Sequence, residues 1–254
     1  MTAEQTKDLK LAVLIDADNV PYSNVKGMLE EVAKYGTPTF KRIYGDWTKP
    51  TLSGWKNVLL ENAITPVQQY SYTTGKNSSD SALIIDAMDI LYTGGVDGFC
   101  IVSSDSDFTR LATRLREAGM KVIGIGEKKT PAPFIASCNK FIYIEILHKE
   151  NKYAAKVKSA NKGNVKKEIE VVAKIDDDLI QMISESINDI AEDEDGWVFL
   201  GVLGSLILKK QPDFDPRNYG HKKLLDIIKT IPSIEIDNRP TGKNNISHFY
   251  VRTK

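Results

Sequence analysis

Through the first 148 residues, short apolar runs rich in β-branched residues alternate with segments whose apolar positions recur at helical spacing, and few folds accommodate that rhythm. Residues 11–15 (LAVLI), 39–44 (TFKRIY), 65–72, 98–103 (GFCIVS), 122–126 (VIGIG) and 141–146 (FIYIEI) read as strands. Between them the pattern predicts a helix over 23–35, with Val25, Met28, Leu29 and Val32 on one face, Ser23 as its cap and Gly36 as its stop. Further helices are expected over 52–62, 80–92 and 108–118, the last ended by Gly119, with a loop over 73–79 (TTGKNSS). Apolar strands joined through helices predict an α/β domain over 9–148, a mostly parallel sheet covered on both faces.

The character of the chain then changes. Residues 149–174 hold eight Lys and three Glu among Asn, Ala, Ser and Gly, and read as a solvated basic linker. From 175 to 254 three helices are expected, over 176–190, 197–208 and 222–230, followed by a hairpin of 234–237 with 248–252. That order is a small winged-helix domain. The 254 residues carry 34 basic and 34 acidic side chains, so formal charge is zero, but it divides as −1 over residues 1–148, +5 over the linker and −4 over the rest. A protein that coats duplex DNA through bulk charge is thereby excluded, while a local basic face is not. Two cysteines without CxxC spacing argue against a disulfide framework or a zinc site. MTAEQTKDLK lacks the apolar core of a signal peptide, and no apolar run nears the roughly 18 residues a membrane helix needs. A cytoplasmic protein without membrane contact is expected.

The N-terminal region has one histidine, His148, at the edge of the linker, which disfavours a Ser-His or Cys-His nucleophile. Carboxylates at strand ends are what it offers. Asp16 closes the first strand (IDADN), Asp105 and Asp107 follow the most apolar one (IVSSDSDF), and Asp80 opens a helix after GKNSS. In an open parallel sheet, ligands collect outside the carboxyl ends of the strands. Carboxylates converging there repel one another, and a divalent cation relieves the repulsion; hard oxygen ligands select Mg²⁺ or Mn²⁺. Such an ion activates water and stabilises charge on a phosphoryl oxygen, which points to phosphodiester hydrolysis. Taken singly, each aspartate is equally a turn residue or a helix cap. Asp18 is expected to diverge from Asp16. Asp86, about 120° around the helix from Asp80, is expected to be solvated or to play a supporting part. Asn19 is placed to bond a phosphate, a water or its own turn. Lys76 is an isolated phosphate-contact candidate, since GKNSS lacks the glycine spacing of a P-loop.

LAVLIDADN, GKNSSDSALIIDAMDIL and CIVSSDSDFTRLATRLREAGMKVIGIG together resemble the NYN domain of the PIN-like nuclease superfamily. The resemblance implies a Rossmann-like, PIN-like sheet and metal-dependent RNA cleavage by clustered aspartates. By motif, Asp16 and Asn19 match the first element of the site, Asp80 the second, and Asp105 with Asp107 the third. Ala17 stands where the family usually has glycine. The C-terminal part, with Trp197-Val198, LGVLGSLILKK, QPDFDPRNYGHKKLLDIIKTIPSIEI and a closing FYVRT, is similar to the OST-HTH or LOTUS winged helix. That likeness implies RNA binding, with protein partners as a second possibility.

The leading expectation is an Mg²⁺- or Mn²⁺-dependent ribonuclease, cutting within the chain rather than from an end. Asp16, Asp80, Asp105 and Asp107 would hold metal and Asn19 would position water or phosphate. Single-stranded or structured RNA would be held by Lys76 and by Lys209, Lys210, Arg217, Tyr219, Lys222 and Lys223 of the C-terminal domain. Leu200, Leu203, Leu206, Leu224, Ile227 and Ile228 read as core, and Tyr219 is as readily a corner residue as a stacking one. A homo-oligomer is left open. Two other readings stand beside this one. The first is an RNA-binding regulator with a vestigial acidic site. The second, of lower weight, is a haloacid-dehalogenase-like phosphatase, suggested by DADN but lacking the later glycine-aspartate pair.

Overall fold

The computed structural model describes residues 8–70, 78–147, 173–191, 195–240 and 247–254, and they fall into two compact units, one on either side of residues 161 and 162. In the first, six parallel strands run β1 (Lys10–Asp16), β2 (Thr37–Gly45), β3 (Thr65–Gln68), β4 (Gly98–Val102), β5 (Lys121–Gly126) and β6 (Lys140–Tyr143). Their order across the sheet is β3-β2-β1-β4-β5-β6. The helices between them are α1 (Val25–Val32), α2 (Trp55–Asn62), α3 (Ser78–Thr93), α4 (Thr109–Glu117) and α5 (Ala132–Ser137).

Strand alternation sorts the core into two layers. Leu11, Val13 and Ile15 of β1 pack with Cys100 and Val102 of β4 against Val25, Met28 and Val32 of α1 and Trp55 and Leu59 of α2. Ala12 and Leu14 face the other way, with Phe99 and Ile101, onto Leu83, Ala87 and Ile90 of α3, Leu111 and Leu115 of α4 and Phe134 of α5. The crossover from β3 to β4 therefore changes faces as well as direction, and β1 and β4, side by side, are its topological switch point. Gly119, at φ 82°, ends the α4 turn in the left-handed conformation that glycine tolerates best.

The expected elements are recovered with local differences. Strand β3 ends at Gln68, and β6 at Tyr143, where residues 144–147 turn helical. Helix α5 has no counterpart in the periodic reading. It is six residues long, follows a proline and offers too few apolar repeats to stand out. Ser23 does not cap α1: a short 3₁₀ turn (Tyr22–Asn24) precedes the helix, and Ser23 Oγ donates to Asn24 Oδ1. Most of the loop over 73–79 and nearly all of the linker over 149–174 lie outside the described residues.

The second unit has α6 (Asp177–Ile190), α7 (Leu200–Lys210) and α8 (Leu224–Ile228). Its strands β7 (Val198–Phe199), β8 (Ile234–Pro240) and β9 (Ser247–Thr253) form an antiparallel sheet ordered β7-β9-β8. Asp176 caps α6 by accepting from the Leu179 amide at 3.0 Å. Ile183, Ile187, Leu203, Ile207, Ile227, Ile228 and Val251 close the core. The expected helix from Trp197 starts only at Leu200, because Val198 and Phe199 pair with Val251 and Tyr250 of β9. The expected two-stranded hairpin is thus a three-stranded sheet. No helix among the described residues is long and apolar enough to cross a membrane.

Candidate metal centre at the carboxyl end of the parallel sheet

Asp16 is the last residue of β1, and Ser103 follows the last residue of the adjoining β4. Ile15 is in register with Val102, so the two side chains meet on the α3 face of the sheet. Asp16 is 1% exposed. Its Oδ2 accepts from Asn19 Nδ2 at 2.6 Å and from Ser103 Oγ at 2.9 Å, and its Oδ1 accepts from the Asp18 amide at 3.1 Å. Burial nevertheless pushes the Asp16 carboxyl above its ordinary range, against the lowering effect of these bonds.

Ser103 reaches both ways, since its Oγ also accepts from the Asp105 amide at 3.1 Å. Asp105 in turn caps the 3₁₀ turn of residues 106–108, its Oδ1 accepting from the Asp107 amide at 2.9 Å. The bland reading of Asp105 as a cap is therefore true, and it is what brings Asp107 alongside. Asp80 arrives from the first turn of α3. One carboxylate oxygen each from Asp80, Asp105 and Asp107 lie within 4.8 Å of one another. Asp16 stands outside this threesome, behind it, yet near enough for its charge to be felt. The Asp80 carboxyl is pushed up to about 6, first by burial, then by the charges of Asp16, Asp105, Asp107 and Asp18. Three mutually repelling hard oxygen donors without nitrogen or sulfur fit a divalent cation of the Mg²⁺ or Mn²⁺ kind.

Asp18 departs from the sequence expectation. It turns toward α3, where Ser79 Oγ donates to its Oδ2 at 3.4 Å, and Lys49 Nζ lies 3.8 Å from its Oδ1. Lys49, on the loop after β2, and Ser103 are contributors that the sequence does not single out. Serine after a strand carries no pattern, and Lys49 meets the site only through the neighbouring strand. Asp86 is not simply solvated: Arg42 Nη1 and Tyr44 Oη both donate to it, tying α3 to β2.

Lys76 lies outside the described residues. In the second unit, Lys209, Lys222 and Lys223 are exposed. Lys210 pairs with Asp189 at 2.6 Å. Arg217 grips Asp215 with two bonds, Nε to Oδ1 at 3.0 Å and Nη2 to Oδ2 at 2.8 Å, and Asp215 is buried. Tyr219 rests on Phe214 with centroids 6.0 Å apart, and burial raises its phenol. The chemical groups of Arg217 and Tyr219 are thus engaged in shaping the FDPRNYG corner.

An open parallel sheet of order 3-2-1-4-5-6, with aspartates gathered outside its switch point, is the architecture of the PIN-like α/β domains. The chain belongs to the NYN domain family, whose model matches residues 10–145, more than half of the chain, and an OST-HTH/LOTUS domain follows at 170–246. Among curated proteins none matches. Solved structures with similarity include a protein of unknown function from Vibrio parahaemolyticus, 20% identical, covering 57% of this chain and 96% of that one, with a TM-score of 0.46. An uncharacterized protein from Nitrosomonas europaea is 25% identical over 38% of this chain and 91% of its own, with a TM-score of 0.28. A protein from Chromobacterium violaceum is 30% identical over 32% and 86%, with a TM-score of 0.26.

Proposed function

We propose that the protein is a divalent-metal-dependent ribonuclease that cuts RNA internally, with its C-terminal domain holding the substrate and residues 149–174 acting as the tether. The observation that carries this reading is the meeting of Asp80, Asp105 and Asp107 at the switch point, where Asp80 is pushed up to about 6 by burial and then by the charges of its neighbours. These three residues would hold Mg²⁺ or Mn²⁺. When bound, such an ion acidifies water and offsets charge on a phosphoryl oxygen. Asp16, clamped by Asn19 and Ser103, keeps a carboxylate behind the three and fixes the spacing between β1 and β4. Lys49 offers the positive charge that an incoming phosphodiester needs, because its exposed 3.8 Å pair with Asp18 is weak enough to exchange.

The phosphatase reading loses ground at Asp16. A nucleophilic carboxylate needs an oxygen open to phosphate, and this side chain is 1% exposed with both oxygens accepting hydrogen bonds. The test is cleavage of a circular single-stranded RNA with Mn²⁺, which only an internal cut can open. Wild type is expected to linearise it and Asp105→Asn to be slower by about 100-fold or more, since loss of a metal ligand removes several kcal/mol of charge stabilisation. Equal rates for the two proteins refute the catalytic reading. Mn²⁺ titration by calorimetry then separates a binding regulator, which needs no Asp105-dependent ion.

A further inference from the structure

The antiparallel sheet of the second unit has an outer face unlike that of an ordinary solvated sheet, where polar side chains predominate. Val198 of β7 and Val251 of β9 are buried and in register, so their neighbours Phe199 and Tyr250 point outward together. Trp197 lies on the same side as Phe199 by alternation, and His248 and Arg252 on the same side as Tyr250. From β8 the face receives Glu235, Asp237 and Arg239, opposite Arg252, Tyr250 and His248.

These side chains form a continuous array. The Phe199 ring centroid is 5.0 Å from that of His248 and 5.7 Å from that of Tyr250. The Arg239 guanidinium carbon lies 4.3 Å from the Tyr250 centroid and 5.5 Å from that of Trp197, while that of Arg252 lies 4.6 Å from the Trp197 centroid. Arg239 also pairs with Asp237 and Arg252 with Glu235, each at 2.7 Å. Phe199 is 37% exposed, and its position is set from behind: a Cβ at Gly201 would come within 2.7 Å of the ring.

We propose that this outer face of the β7-β9-β8 sheet is a stacking platform for unpaired bases of single-stranded RNA, an inference that rests on the RNA-directed function proposed above. Flat rings and guanidinium planes are the groups on which bases stack, and every base has such a face to offer. The charges favour this occupant over a duplex. The two arginines are matched on the same face by Glu235 and Asp237, so the array is nearly neutral and gains little from a phosphate backbone, which dominates duplex binding. The arginine N–H groups at the ring edges remain able to meet base edges, because half-exposed ion pairs exchange partners at small cost.

The experiment uses the full chain carrying Asp105→Asn, so that RNA stays intact, with a fluorescently labelled, unstructured single-stranded RNA and a blunt RNA duplex. Adding Phe199→Ala is expected to weaken single-strand binding by about tenfold, the usual loss for one base–aromatic stack. Phe199→Leu, which keeps apolar bulk, is expected to do nearly the same with an unchanged melting temperature. The salt dependence of single-strand affinity is expected to be shallow, and the duplex to bind more weakly. Unchanged single-strand affinity in Phe199→Leu, or a steep salt slope lost in Lys222→Ala/Lys223→Ala, overturns the platform. So does a change of oligomeric state in Phe199→Leu without a change in RNA affinity, which would make the face a contact between proteins. If wild type opens circular RNA while Phe199→Leu binds RNA normally, only the platform fails. If wild type neither binds nor cuts RNA, the functional reading fails with it.

Discussion

The carboxyl end of the parallel sheet and the second unit arrange charge in different ways. At the end of the parallel sheet, Asp80, Asp105 and Asp107 face one another with Asp16 behind them, and the nearby cation Lys49 is 3.8 Å from Asp18 at the rim. In the second unit Asp215 has Arg217, Asp237 has Arg239, Glu235 has Arg252 and Asp189 has Lys210. A carboxylate with its own cation is part of the fold's stability. A carboxylate held beside its like is a liability to the empty fold, and an asset only when a cation arrives. The contrast teaches that a functional site is recognised less by its acidic residues as such than by their convergence from separate elements of the fold.

Substitutions turn this contrast into opposite signs. The largest loss of stability is expected from Asp215→Ala, about 2 to 3 kcal/mol by thermal or urea unfolding, because it strips a two-bonded, largely buried arginine of its partner. A smaller loss, about 1 to 2 kcal/mol, is expected for Ser103→Ala, which removes one donor from Asp16 and the acceptor of the Asp105 amide. Asp80→Asn is expected to go the other way and raise the melting temperature of the metal-free chain at pH 7.5 by a few degrees. The Asp80 carboxyl is raised from 3.8 to about 6, so the folded chain binds its proton more tightly than the unfolded one. Stability contributed by this group is therefore lost as pH rises through that window, and stays lost above it. The advantage of Asp80→Asn should accordingly vanish near pH 4, and Mn²⁺ should stabilise wild type more than the variant. A melting temperature that falls at pH 7.5 would erase the distinction between the units.

The smallest effect on stability is expected for Lys49→Ala, under about 0.5 kcal/mol, since its pair with Asp18 is long and exposed. Its signature should instead be a several-fold rise in KM for RNA with kcat nearly kept. A change in kcat alone would place Lys49 nearer the reacting atoms than its 3.8 Å contact with Asp18 suggests.

Much of this was legible in one dimension. The strands announced themselves by β-branched runs, and an aspartate directly after a buried strand can only emerge at the sheet's carboxyl end. What escaped was short or non-local. Helix α5 is six residues long, and β7 is two residues that look like the start of the helix following them. Ser103 acquires its role from Asp16, 87 positions away. Asp18, expected to diverge from Asp16, instead turns toward α3, where it meets Ser79. The basic residues of the C-terminal domain were visible as a group. That Arg217 is engaged with Asp215 is decided by the tight turn they share, and that Arg239 and Arg252 lie over the half-buried rings of Tyr250 and Trp197 is decided by strand register.

By itself the sequence determined the alternation of strand and helix, the succession of two domains and the aspartates at strand ends, because periodicity and turn chemistry act between near neighbours. Only the tertiary structure decided which carboxylates are brought face to face. Coulomb energy depends on distance in space and on exclusion of water, and both are set by how β1, β4 and α3 pack rather than by where their residues fall along the chain.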